Sequence, residues 1–204
     1  MKSYVINLDR RDDRLRKFQN LAEIADVKVE RIKAIDGKID LITDDHWLQK
    51  YNNTEKIRYM TKGEIACYLS HYKVWESSRE DEITVFEDDA RIPIMFNYDL
   101  NNYLKYLPKD YDMPLLGTNN TWFNKYKDNS KIIWENKYWF KYQGDVYGLQ
   151  SYIIKRNAID VLKDSKYPIN CPIDIKINHI GLNVYILKEN MVSQCRWGSD
   201  TQAG

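Results

Sequence analysis

The sequence predicts a single α/β domain in which helices flank a mostly parallel sheet. Short apolar strands alternate with amphipathic helices along most of the 204 residues, and this alternation favours crossover connections and parallel strands. A run of acids also closes one buried strand, and sheets of this kind bind ligands beyond the carboxyl ends of their strands. No repeat or linker divides the chain, so residues 1–95 and 96–204 are predicted to be two halves of one domain.

The first half is predicted to contain three strands and two helices. The strands cover residues 3–8, 27–34 and 83–86, and the helices cover residues 12–25 and 61–78. Apolar residues recur at helical spacing in both helices. Thr61 and Glu64 form a capping-box pattern at the start of the second helix, which predicts where that helix begins.

The second half continues the alternation with less regular patterning. Residues 98–107 predict a helix stopped by Pro108, and residues 112–120 predict a strand that runs into a loop. Residues 151–165 predict a strand followed by a helix. A helix over 172–182 and a last strand over 183–187 complete the pattern. Residues 121–150 are rich in aromatic residues and lysine but have weak periodicity, so no element is assigned there.

Composition excludes several classes of function. Lys and Arg total 31 against 30 for Asp and Glu, and this balance argues against a nucleic-acid-binding protein. No apolar stretch approaches the length of a transmembrane helix, and the apolar run at the N-terminus is too short for a signal peptide. The three cysteines lack metal-ligand spacing and predict reduced thiols in a cytoplasmic protein.

The stretch "ITVFEDDAR", residues 83–91, places Glu87, Asp88 and Asp89 directly behind four strand-forming residues. Two unit charges about 4 Å apart repel by roughly 4 kcal/mol at an effective dielectric near 20. Either water solvates these acids or a cation binds between them, and hard divalent cations prefer carboxylate oxygens. If the strand geometry persists, Glu87 and Asp89 share one face and Asp88 points to the other.

The end of the first strand offers a second set of polar groups. Asn7 and Asp9 present an amide and a carboxylate, and Arg10, Arg11 and Arg14 present forked donors suited to phosphate. Among the three arginines, Arg14 is the first choice for a phosphate contact, because one helical turn brings it back towards the other two. The alternative is that these polar residues only cap the start of the helix and are solvated by water.

Four segments in order resemble glycosyltransferase family 25, which includes bacterial lipooligosaccharide galactosyltransferases and collagen galactosyltransferases. They are "VINLDRRDDR", "KAIDG", "KGEIACYLSHYKVWE" and "FEDDA", and weaker echoes follow in "YGLQSYIIKRNAI", "PID" and "SQCRWGSDTQ". The resemblance implies a GT-A fold with a Rossmann-like sheet, a nucleotide-sugar donor, a divalent metal and inversion at the anomeric carbon. It assigns donor binding to residues 1–95 and the acceptor side to residues 96–204.

The resemblance also implies roles for individual residues, and each role has a structural alternative. Asp89 is the expected main metal ligand, with help from Glu87 or Asp88, and Asp200 is a further candidate, as a ligand close to the metal or as a third candidate base. An inverting transfer needs a general base for the acceptor hydroxyl, for which Asp174 is preferred over Asp145, although Asp174 is equally suited to cap its helix. Donor contacts are expected from Asn7, Asp9, Arg10, Arg11, Arg14, Asp36, Gly37, Lys62, Glu64, His71 and Asp88.

Some of these donor contacts have plain alternatives in the residues themselves. Asp36 and Gly37 are equally typical of a turn, whereas Lys62 and Glu64 open a helix whose N-terminus attracts anions. His71 is equally suited to a satisfied place in the core.

The expected activity is transfer of a hexose from UDP-galactose or UDP-glucose to a glycan or glycoprotein hydroxyl, with Mn²⁺ or Mg²⁺. A metal-dependent phosphohydrolase is the alternative enzyme. It is disfavoured because Ala90, Arg91 and Ile92 follow the acids, where such enzymes often have Gly-Thr behind an Asp-x-Asp. A nucleotide-sugar-binding module without catalysis is the non-enzymatic alternative.

Overall fold

An eight-stranded sheet forms the centre of the protein, with helices on both faces. The structure is a computed structural model, and it describes residues 1–40, 51–52, 57–58, 60–119 and 128–195. The strands are β1 Lys2–Asn7, β2 Val29–Lys33, β3 Tyr51–Asn52, β4 Ile57–Arg58, β5 Glu82–Glu87, β6 Ala90–Arg91, β7 Met113–Gly117, β8 Ile132–Glu135, β9 Trp139–Tyr142, β10 Ser151–Lys155, β11 Val184–Leu187 and β12 Ser193–Gln194. The helices are α1 Asp12–Ile24, α2 Lys62–Ser77, α3 Phe96–Leu104, α4 Arg156–Asp164 and α5 Ile173–Lys176.

The large sheet has the strand order β2-β1-β5-β10-β7-β11-β9-β8. β1 pairs in parallel with β2 and β5, and β7 pairs in parallel with β11. β10 is antiparallel to both β5 and β7, and β9 is antiparallel to both β11 and β8. Six strands therefore run in one direction and two, β9 and β10, run against them. The mostly parallel sheet predicted from the alternation of elements is confirmed.

Each face of the sheet carries its own hydrophobic layer. On one face α2, α4 and α5 bury a layer that includes Tyr68, Trp75 and Ile159. On the other face α1 and α3 bury Phe18 and Phe96 against the sheet. The sheet separates the two layers. Because side chains alternate along a strand, consecutive residues of β5 point into different layers.

The strongly patterned elements lie where the sequence predicts them. The three first-half strands correspond to β1, β2 and β5, and the two helices correspond to α1 and α2. The capping box is confirmed, since the Glu64 amide donates to Thr61 Oγ1 at 3.1 Å and the Thr61 amide donates to Glu64 Oε2 at 2.8 Å. α3, β7, β10 and α4 match the second-half predictions within a few residues.

Several elements of the second half differ from the prediction. The helix expected over 172–182 is only the four residues of α5, because Asn178 Nδ2 donates to the Asp174 carbonyl oxygen at 2.5 Å and Gly181 adopts φ +78°. β8 and β9 form an unpredicted hairpin, whose turn is held by Asn136 Oδ1 accepting from the amides of Tyr138 and Trp139. β11 is not the last strand, since β12 follows it and pairs with β6.

Among the described residues, no helix combines the length and the apolar character needed to cross a bilayer. The three cysteines are free thiols.

Candidate active site

The candidate site lies at the edge of the sheet where β1, β2 and β5 end. These three strands run side by side and in parallel, so their carboxyl ends meet at one edge. Antiparallel β10 begins at the same edge, where the amide of Glu87 donates to the Gln150 carbonyl at 3.0 Å. The topology therefore collects the residues that follow several strands.

The three acids after β5 have three different environments. Glu87 is the last residue of β5 and faces α2, with Oε1 3.3 Å from His71 Nε2. Asp88 faces α1, where Arg14 Nη1 donates to its Oδ1 at 3.1 Å. Asp89 lies beyond the strand in the turn that leads into β6. The predicted opposition of Glu87 and Asp88 is therefore observed, while Asp89 no longer follows the strand alternation.

Asp88 anchors the end of the sheet. Asn7 Nδ2 donates to its Oδ2 at 2.8 Å, so both carboxylate oxygens accept hydrogen bonds from buried side chains. Burial raises the pKa of Asp88, and the hydrogen bonds from Asn7 and the charge of Arg14 only partly oppose this effect. Asn7 also donates to the Arg11 carbonyl and accepts from Arg31 Nε at 2.9 Å. Contacts of Asp88, Asn7 and Arg14 with a nucleotide-sugar donor would compete with the hydrogen bonds that join β1, β5 and α1.

Asp89 is only 9% exposed. Among the described residues, one of its two carboxylate oxygens has a hydrogen-bond partner and the other has none. Gln194 Nε2 donates to Oδ2 at 3.0 Å, and the Cys195 amide donates to the Asp89 carbonyl at 2.7 Å. In the part of the chain that the structure describes, Oδ1 is buried and has no hydrogen-bond partner. Burial, with the charge of Glu87 as the next cause, raises the pKa of Asp89 to about 7.

The loops after β1 and β2 are tied to each other by ion pairs. Arg10 Nε donates to Asp36 Oδ2 at 2.6 Å, and Asp36 Oδ1 accepts from the Lys38 amide at 3.0 Å. Asp9 pairs with Lys33 and Arg31, both at 2.6 Å, and these two cations lower the pKa of Asp9.

Other predicted donor contacts are also engaged within the protein. Arg11 pairs with Asp13 at 3.0 Å, and Glu64 closes the capping box described above. Gly37 lies against the start of α2, where a Cβ would approach the Lys62 carbonyl oxygen to 2.5 Å. The Lys62 residue is exposed at the N-terminus of that helix. His71 is 1% exposed on α2.

The two candidate bases differ in their surroundings. Asp174 accepts from the amides of Gly148 and Ile175, each at 3.0 Å, and burial raises its pKa to about 6. The negative charge of Glu87 adds to that rise. Asp145 instead forms an exposed pair with His179, Oδ1 to Nε2, at 2.9 Å. Asp174 is the better placed of the two.

Asp200 lies outside the described residues. Two residues that contact the site were not predicted from the sequence, namely Gln194 on Asp89 and Tyr152 on His71. Gln194 falls within the segment "SQCRWGSDTQ", so the resemblance marked the segment but not the residue. Tyr152 carries no local signal, because it is one of four consecutive buried residues in β10.

The mixed sheet, with acidic residues at the edge where β1, β2 and β5 end, is typical of the GT-A fold. Comparison with solved structures agrees: the galactosyltransferase LgtC in complex with donor and acceptor sugar analogs aligns with a TM-score of 0.50 at 10% identity, covering 100% of this chain and 91% of that one. An active-site mutant of LgtC, Q189E, aligns with a TM-score of 0.52. These likenesses concern the fold.

The family is shown by sequence. The model described as "Glycosyltransferase family 25 (LPS biosynthesis protein)" matches residues 1–177, and the chain belongs to that family. A glycosyltransferase 25 family member from Drosophila melanogaster is 28% identical over 183 residues, covering 84% of this chain and 29% of the relative. Procollagen galactosyltransferase 2 from Homo sapiens is 37% identical over 102 residues, covering 46% and 16%. The chain thus spans less than a third of the length of these relatives.

Proposed function

We propose that the protein transfers a hexose from a UDP-sugar, UDP-galactose or UDP-glucose, to a hydroxyl of a glycan or glycoprotein, with a divalent cation and with inversion. Family membership supports sugar transfer as the reaction class. The names of the relatives, which include procollagen galactosyltransferases, support galactose as the sugar. The GT-A-type sheet supports a nucleotide-sugar donor bound where β1, β2 and β5 end.

The observation that carries the proposal is the state of Asp89. A buried carboxylate oxygen without a donor costs about 1–3 kcal/mol, and Glu87 adds repulsion to that cost. A divalent cation bound to Asp89 Oδ1 and to Glu87 would remove both penalties. The metal ligands would be two carboxylates, which suit Mn²⁺ or Mg²⁺. Asp88 is committed to Arg14 and Asn7, so Asp89 and Glu87 are the proposed ligands.

The remaining residues position the reactants. A cation held by Asp89 and Glu87 would supply Lewis-acid stabilisation of the negative charge on the leaving pyrophosphate. Lys62 is proposed to add a positive charge from the start of α2, where the exposed amide groups also favour an anion. Arg10 and Asp36 hold the loops after β1 and β2 together, and we propose that these loops border the nucleoside.

Asp174 is the proposed general base. Its pKa of about 6 leaves it ionised at neutral pH and still basic enough to accept a proton. The acceptor oxygen forms a bond to the anomeric carbon while the bond from that carbon to the phosphate oxygen breaks, and the hydroxyl proton passes to Asp174. The amides of Gly148 and Ile175 hold the carboxylate in place.

A donor screen tests the proposal. The protein is incubated with Mn²⁺ and a panel of UDP-sugars, and UDP release and thermal stabilisation are followed for the parent, Asp89→Asn and Asp160→Asn. Asp160 is an exposed acid on α4 and serves as a matched control. We expect metal-dependent stabilisation and slow UDP release with one UDP-hexose for the parent and the control, and neither for Asp89→Asn.

The same screen separates the alternatives. Release of inorganic phosphate from simple phosphate esters would indicate a phosphohydrolase. Tight UDP-sugar binding without turnover on any acceptor would indicate a binding module. Absence of stabilisation by any UDP species would contradict the proposed function.

A further inference from the structure

A buried chain of hydrogen bonds runs from α2 through β10 to Glu87. Trp75 Nε1 donates to the Tyr152 hydroxyl at 3.0 Å, and that hydroxyl lies 2.8 Å from His71 Nδ1. His71 Nε2 then lies 3.3 Å from Glu87 Oε1. Trp75 and Tyr152 are fully buried and His71 is 1% exposed, so water does not replace these three partners, whereas the Glu87 side chain is partly exposed.

The chemistry of the groups fixes where the protons lie. Indole nitrogen only donates, so the Tyr152 oxygen accepts from Trp75. Burial raises the pKa of Tyr152 well above its usual value, and the hydroxyl therefore keeps its proton. Within the described ranges His71 Nδ1 is the only acceptor that this proton reaches. Nδ1 is thus unprotonated, and the ring proton of neutral His71 is on Nε2, directed at Glu87.

We propose that Trp75 and Tyr152 lock His71 in its Nε2–H tautomer, and that this N–H orients the Glu87 carboxylate. His71 is then a positioning residue that acts through Glu87, rather than a group that touches the donor. With Oε1 held by His71, Oε2 is left for the cation, since no hydrogen bond joins Oε2 to any described residue. The second step, orientation of a metal ligand, rests on the proposed function; the tautomer does not.

A competing interpretation is a separate metal site on the same residues. Cys67 lies one turn before His71 on α2, and the ligand atoms of Cys67, His71 and Glu87 lie within 4.8 Å of one another. A Cys–His–carboxylate set suits Zn²⁺. Zinc would need the Nε2 lone pair, which requires the Nδ1–H tautomer and leaves the buried Tyr152 hydroxyl without an acceptor. The hydrogen-bond chain therefore favours positioning over zinc binding.

The tautomer is measured directly on the metal-free protein. A long-range ¹H–¹⁵N correlation on ¹⁵N-histidine-labelled protein in EDTA distinguishes protonated from unprotonated ring nitrogens, and His71→Gln identifies the His71 signals. We expect protonated Nε2 and unprotonated Nδ1. Tyr152→Phe should remove this preference, whereas the matched control Tyr68→Phe, another buried tyrosine with no hydrogen bond to His71, should keep it. A protonated Nδ1 in the parent would overturn the proposal.

Cation affinity tests the orientation of Glu87. Mn²⁺ binding in the presence of UDP is titrated for the parent, His71→Gln and His71→Leu. Loss of a group that orients a metal ligand lowers affinity on the order of 10-fold, so we expect that loss for His71→Leu. His71→Gln keeps an N–H donor near the Nε2 position and should restore most of the affinity.

The outcomes separate this inference from the proposed function. Unchanged Mn²⁺ affinity in His71→Leu, with normal binding by the parent, would overturn the positioning role alone. Stoichiometric Zn²⁺ binding that Cys67→Ser abolishes would also overturn it. A parent that binds no Mn²⁺ would contradict the proposed function and with it the orientation step, while the NMR measurement still decides the tautomer.

Discussion

Replacing Asp89 by asparagine should stabilise the metal-free protein and abolish its response to metal. The carboxylate is buried, and its pKa is raised from 3.8 to about 7. Between these two values the unfolded chain is ionised while the folded protein still holds the proton, so ionisation opposes folding more strongly as the pH rises through this range. The full penalty is present above pH 7. Asp89→Asn has no charge at any pH and escapes it.

The magnitude follows from the two pKa values. A difference of about 3 corresponds to roughly 4 kcal/mol at 1.36 kcal/mol per pKa unit. The asparagine amide would leave a buried N–H₂ group where Oδ1 now lies, which costs about 1–3 kcal/mol. The variant should therefore be more stable than the parent by roughly 2 kcal/mol at pH 8, or about 4–8 °C in Tm for a domain of this size. At pH 5 the ionisation penalty of the parent falls by roughly 2–3 kcal/mol, so the stability advantage of the variant should disappear.

Thermal unfolding in EDTA at pH 5 and pH 8, followed by the same measurement with Mn²⁺, tests this reasoning. A cation at 100 times its Kd should stabilise the parent by about 2.7 kcal/mol and leave Asp89→Asn unchanged. Asp160→Asn controls for loss of an exposed acid. A variant that is less stable than the parent at pH 8 without metal, or that still gains stability from Mn²⁺, would refute the assigned state of Asp89.

Three further predictions concern other parts of the site. Asp174→Asn should lower turnover about 10²–10⁴-fold with unchanged UDP affinity. The kcat/KM of the parent should fall as the pH drops below about 6. Weaker UDP binding by the variant would argue against Asp174 as the general base. Arg14→Met should lower the free energy of unfolding, measured in urea, by about 3–5 kcal/mol, because the buried Asp88 loses its ion-pair partner. Adding Asp88→Asn should recover part of this loss. An unchanged free energy of unfolding in the single variant would contradict a stabilising buried pair. Gly37→Ala should cost about 1–3 kcal/mol in thermal unfolding, since its Cβ would meet the Lys62 carbonyl at 2.5 Å; an unchanged Tm would show that the loop moves aside.

The sequence predicts the elements whose pattern is decided locally. β1, β5, α1 and α2 each carry enough apolar periodicity or capping chemistry to specify themselves. The two-residue strands β6 and β12 have no such pattern, because each exists only by pairing with the other. That pairing brings Gln194 to Asp89 across 105 positions of sequence.

Within the candidate site, residue type was predictable but environment was not. The sequence predicts contacts with the sugar donor for Arg14 and Asp88, and the structure adds that the two form a buried ion pair with each other. An arginine near a strand end suits a phosphate or a carboxylate equally, and only the packing of α1 on β5 decides between them. The hydrogen-bond chain to Glu87 likewise depends on Tyr152, which lies 81 residues from His71 and is brought to it by the antiparallel insertion of β10.

We propose that the acids after β5 hold a cation that binds the pyrophosphate of the nucleotide-sugar donor. Calorimetric titration of UDP into the protein, with Mn²⁺ and then with EDTA, for the parent and for Asp89→Asn, tests it most directly. We expect that only the parent with Mn²⁺ binds UDP tightly, and that removal of the metal lowers the UDP affinity of the parent to that of the variant. Equal UDP affinity with Mn²⁺ and with EDTA would contradict the claim.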